Sequence, residues 1–217
     1  MSMINSNSNE LALANWLYEN DPRSYQNTRK FQKFLFFYEI FSKVNEKEYD
    51  LGRFKIWMYG PVNSVAYGDY TYRGADFVTA FKKVEENVDQ EIARKADFLV
   101  QILNTEEISE LTHTFDFWKI PAVELSGSWN DNVSANEKNF SSTDMERARR
   151  LYTMYDDTFI RNSEVIHTFG KHFVISKSDK ENLTSEHIEV LEKLSTDTSL
   201  MNPIFVEIDN DGRLAID

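Results

Sequence analysis

The chain has four histidines and no cysteine, so acid–base, metal or thiol chemistry has few places to start. His113, in ELTHTFDFWK, is the first candidate, because an imidazole titrates near neutral pH and can serve as acid, base or ligand. Thr112, Glu110 and Asp116 stand beside it, and an enzyme centred on His113 would need one of those carboxylates to orient the ring. The plainer reading, a helix-end histidine bonding local carbonyls, is the one expected. His167 and His172, in HTFGKH, are too far apart for an i, i+4 ligand pair on one helical face, and Gly170 interrupts them, so no metal site is expected. DNDG at 209–212 resembles part of a calcium loop but lacks the further oxygen ligands and the closing Glu, and reads as a hairpin turn.

Phosphate-cradling and nucleophile-elbow motifs are absent, and seven glycines leave little for them. Ser126, Ser128, Ser141 and Ser142 lie in polar stretches with no signalled base, and pairs such as Glu106-Glu107 and Asp156-Asp157 read as helix-surface charge. No catalytic set and no cofactor are therefore expected. Aromatic residues offer more, since Trp, Tyr and Arg are enriched at binding hot spots. Trp57 and Trp118 read as core plugs, whereas Trp129, with Asp131 beside it in a polar loop, is the better partner contact.

The net charge is −12 over 217 residues, and it is uneven. The first 60 residues are nearly balanced, and the acidic excess falls on the remainder. Phosphate contacts need Lys and Arg, so a direct nucleic-acid partner is not expected; a basic protein partner is more compatible. No apolar run approaches the ~20 residues of a membrane span. The start, MSMINSNSNE, lacks the basic-then-apolar order of a signal peptide, and a cytoplasmic location is expected.

The elements that position these residues are mostly helical. Residues 9–19 form an amphipathic helix ended by Asp21-Pro22. Residues 25–44 carry Phe31, Phe34, Leu35, Tyr38 and Phe41 at helical spacing and Phe36, Phe37 and Ile40 on a second face, which marks a central helix. Phe54, Ile56 and Met58 alternate as in a strand, and Gly60-Pro61 reads as a strand-to-helix joint. Helices are expected over 75–87 and 89–103, then a short one capped by Thr105, a long loop over 119–142, and a helix opened by a Thr143/Glu146 capping box. A strand at 171–176, a helix at 184–195 and a terminal hairpin complete the chain. The fold class is mainly α (α+β): a compact helical domain with a small antiparallel β-sheet that includes a C-terminal hairpin. The expected division is 1–160, helical, and 161–217, an α+β extension packed on it.

Three stretches resemble the Panacea-domain family, the phage-associated, SocA-like antitoxins. KFQKFLFF at 30–37 is similar to its K-L-Q-K-L-L-Y helix, WMYGPVNSVAY at 57–67 to its W-x-x-G-P-V…V-Y segment, and LTHTFDFW at 111–118 to its L-T-H…P-W segment. The three occur in the family's order and cover roughly residues 10–155 with their surroundings. The matching positions are Lys30, Gln32, Lys33, Trp57, Gly60, Pro61, Val62, Tyr67, Thr112, His113 and Trp118. Phe31 and Phe34 replace the usual Leu, Phe36 a Tyr, and Phe117 the Pro before Trp118. The resemblance implies neutralisation of a cognate toxin by direct protein–protein contact, in a bacterial or prophage setting. Two other readings stand beside it: a phage-encoded inhibitor or proteolytic adaptor acting on a host protein, and the enzyme centred on His113.

Overall fold

The computed structural model describes residues 4–85, 87–124 and 133–216. Helix α1 (Ser8–Asn20) opens with a capping box between Asn7 and Glu10, and α2 (Pro22–Gln26) begins with Pro in its first turn, where a missing N–H costs nothing. Helix α3 (Thr28–Val44) is the axis of the molecule: residues 30 to 42 are all buried, polar ones included. Its rings set the core. Trp16 stacks on Phe34 with centroids 5.6 Å apart, and Phe36 sits among Phe37, Phe54, Phe115 and Phe117. Phe36 therefore occupies an apolar centre, with no place there for the hydroxyl that the resembling family carries.

The chain next forms a hairpin. Strands β1 (Phe54–Trp57) and β2 (Gly60–Asn63) pair antiparallel, with Trp57 opposite Gly60 and Met58-Tyr59 as the loop. Gly60-Pro61 is thus the return of a hairpin, not a strand-to-helix joint. Gly60 takes φ +107, which favours glycine, and Pro61 lies in β2 opposite Ile56. The following helix, α4 (Ser64–Tyr72), starts three residues later, capped by the Asn63 side chain on the Ala66 amide. Glu10 ties this unit to α1: its buried carboxylate accepts both Nε and Nη2 of Arg53 and also Asn63 Nδ2.

Helices α5 (Gly74–Phe81), α6 (Gln90–Ile102) and α7 (Thr105–His113) follow. Asn104, not Thr105, caps α7. Helix α8 (Asp116–Glu124) occupies the start of the stretch expected to be a loop. Buried Asp144 accepts the Asp116 and Phe117 amides and so caps it from another helix. Residues 133–135 then run along β1, with Ile56 donating to Val133 and Ala135 to Phe54. Helix α9 (Ser142–Thr153) is capped by Ser141, two residues earlier than the Thr143/Glu146 box places the cap. Helix α10 (Asp157–Asn162) follows, and Asp157 is far from surplus surface charge: it takes a fork from Arg94 and a second cation, Arg161.

The C-terminal sheet has order β3-β4-β5-β6, from β3 (Ser163–Thr168), β4 (Lys171–Ser176), β5 (Ile204–Ile208) and β6 (Leu214–Ile216). The strands of the protein therefore fall into two sheets rather than one. The β4–β5 pairing is parallel, joined through α11 (Lys177–Glu181) and α12 (Ser185–Ser195). Alternation along β4 buries both faces: Phe173 and Ile175 pack with Leu191, Ile204 and Val206, while Val174 joins the main helical core. Among the described residues no helix is long and apolar enough to cross a membrane.

Candidate functional site

Helix α3 has no solvent face, so its polar residues must be satisfied inside. Gln32 accepts the Asn63 amide at 2.8 Å through Oε1. That bond fixes the orientation of the side-chain amide, and Nε2 is left buried without a partner. Lys33 is fully buried, and its Nζ donates to the Tyr59 carbonyl in the hairpin loop. Burial, with repulsion from Arg29 second, lowers the Lys33 ammonium to about 7. Gly60 makes this approach possible: a Cβ there would overlap both Lys33 Nζ and Thr112 Oγ1.

The hairpin is braced from the other side by α7 and α8. His113 stacks on Trp118 with centroids 3.8 Å apart, and Trp118 Nε1 donates to the Trp57 carbonyl at 2.8 Å. Trp57 meets Tyr67 edge-on at 4.8 Å. Burial, then the charge on Lys33, holds the His113 imidazole down to about 4, against a hydrogen bond to the Met58 backbone. Its Nε2 is buried and unpartnered. Trp57 and Trp118 are both half-buried, and Trp57 lines an opening, which corrects their reading as core plugs.

That opening is a cleft of about 740 Å³ between the start of α3, the hairpin loop and the start of α7. Gln32 and Lys33 line it with Trp57, Val62 and Tyr67, and Arg29 lies 4.2 Å over the Tyr59 ring at its mouth. Met58 and Tyr59, 47% and 54% exposed, form its apolar lip. Arg29, Met58 and Tyr59 were not among the candidates read from sequence as site residues; the aromatic density of WMYGP was the available signal.

The sequence candidates thus divide clearly. Gln32, Lys33, Trp57, Val62 and Tyr67 line the cleft; Gly60, Thr112, His113 and Trp118 lie behind or beside it; Pro61 shapes the hairpin. Lys30 lies apart. Burial lowers it to about 8, and Asp21, Asp97 and Glu107 act on it in the opposite direction. Trp129 and Asp131 fall outside the described residues, as do Ser126 and Ser128. His167 and His172 do come together, directly opposite on β3 and β4 with ring centroids 4.4 Å apart. The helical spacing rule did not apply to them, because their stretch is a β-hairpin. Among the described residues no group of three or more His, Cys, Asp or Glu is placed to hold a metal.

Two of the groups proposed to act with His113 are engaged elsewhere. Thr112 Oγ1 donates to the Ser109 carbonyl of its own helix, and Asp116 Oδ2 accepts from Ser141. Comparison with family models, with curated proteins and with solved structures finds no match for the chain.

Proposed function

We propose that this protein is an antitoxin that neutralises a cognate toxin by direct contact, and that the Arg29–Tyr59 cleft and its lip form the contact site. One observation carries the reading. Of the three stretches that resemble the Panacea-domain segments, two line a single open cleft with exposed aromatic and apolar edges, and the third braces its hairpin through His113 and Trp118. Such a cleft, with a few polar groups set in apolar walls, suits capture of a partner segment. Of the groups set beside His113 in sequence, Thr112 and Asp116 are engaged elsewhere, with the Ser109 carbonyl and the Ser141 hydroxyl. In line with the resemblance, the interaction is placed in the cytoplasm. The test is co-purification and growth rescue with the product of the adjacent reading frame. Stable binding and rescue support the proposal, and binding to neither that product nor any toxin of the same locus contradicts it.

A further inference from the structure

The cleft is an electrostatic exception. The molecule carries a net charge of −12, yet the residues lining this cleft include Arg29 and Lys33 and no carboxylate. Two helix N-termini converge on it, those of α3, with 17 residues, and α7, with 9. Asn27 caps the Arg29 and Lys30 amides, and Asn104 the Glu106 and Glu107 amides. The first-turn amides of Thr28 and Thr105, both lining residues, are outside those capping bonds. Unsatisfied N–H groups and the positive helix end favour an anion. Independently, Gln32 is 2% exposed, lines the cleft, and holds Nε2 without an acceptor. A buried donor left unpaired is costly, so an incoming oxygen that accepts from it is favoured.

We infer that the group seated in this cleft is a carboxylate carried by a polypeptide, held by the Gln32 amide and the Arg29 guanidinium. This rests on the cleft being the partner site. The apolar walls of Trp57, Val62 and Tyr67 take the side chain beside that carboxylate. Gln32 Nε2 is buried in the empty cleft, so entry moves a neighbour. Arg29 is loosely held: its Nη1 reaches the Thr105 carbonyl and Glu106 Oε1 only at 3.5 Å, the outer limit of a hydrogen bond. Glu106, largely exposed at the rim, is the one carboxylate that competes for Arg29, and an inserted carboxylate displaces it. The carboxylate comes from a chain terminus or from an Asp or Glu side chain; the recognition chemistry is shared.

The test uses the full chain, labelled for side-chain amide and guanidinium resonances, and four probes. These are acetyl-Ala-Leu-Phe with a free carboxylate, its C-terminal amide, acetyl-Ala-Asp-Phe-amide, and inorganic phosphate. The free-carboxylate peptide is expected to shift the Gln32 side-chain amide and Arg29 Nε, and the neutral amide to leave them unmoved. A response to the Asp peptide alone assigns the source to a side chain rather than a chain end. Arg29→Gln should weaken binding at least tenfold. Gln32→Glu keeps the oxygen that accepts the Asn63 amide and replaces the donor; it should also weaken binding tenfold or more. If it does not fold, the Arg29→Gln titration decides. Equal shifts from acid and amide, preference for phosphate, or no shift from any peptide would overturn the inference. No toxin is needed, so this result stands or falls separately from the antitoxin proposal.

Discussion

Gly60 and Lys33 are the residues on which the site's geometry turns. Gly60 combines φ +107 with a Cβ position already filled by the Lys33 ammonium and the Thr112 hydroxyl. Gly60→Ala is therefore expected to lower stability by about 1–3 kcal/mol, read from denaturant midpoints at constant m. An unchanged midpoint would mean that the hairpin has room to shift. Lys33 gives a pH signature. Burial holds it near 7 in the fold, against the ordinary lysine value of 10.5, so between these the unfolded chain binds the extra proton and stability rises with pH. Below about pH 7 both states are protonated and the cost is complete. Relative to Lys33→Met, the wild type should gain stability from pH 7 toward pH 10, measured by urea unfolding at each pH. A pH-independent difference would show that Lys33 is not desolvated. The burial of Gln32 and Lys33 was legible only indirectly: once two faces of α3 are apolar, the short hairpin can cover what is left.

At the scale of elements, α1, α3, α6, β4 and the terminal hairpin follow from periodicity, caps and turn residues, and the structure has them where the sequence puts them. The differences have tertiary causes. The polar composition of 119–142 reads as a loop, but α8 occupies its start and continues through Pro121, anchored by buried Phe117 and Ala122 and capped by Asp144 from α9. Strand β3, SEVIHT, has little apolar alternation of its own and exists because it pairs along all of β4. That pairing sets His167 against His172. Burial, and then the charge of His172 on His167 and that of Lys30 on His172, holds them at about 3 and about 4. The unfolded chain takes up these protons first, so the pair withdraws stability as pH falls from about 6.5 toward 4. Replacing both by Phe should flatten the wild type's loss between pH 6.5 and 4.5, followed by thermal melting. An identical slope in the variant would assign the acid sensitivity elsewhere.

For the whole molecule, the charge read from sequence and the charge at the cleft differ in sign. On the proposed function, the acidic surface would attract a basic partner over the range of a Debye length, about 8–10 Å at physiological salt, and the cleft would take one anionic group at the end of that approach. No composition count reveals this, because Arg29 and Lys33 become a site only where α3, the hairpin and α7 meet. The claim that this cleft is the partner site is tested most directly by calorimetric titration of the adjacent-frame protein into wild type and into an Arg29→Ala/Tyr59→Ala variant. Both side chains are at the mouth and Tyr59 is exposed, so the variant should melt as the wild type does. The account predicts at least a tenfold loss of affinity, about 1.4 kcal/mol, and loss of growth rescue. Full affinity in a variant that folds normally would contradict it.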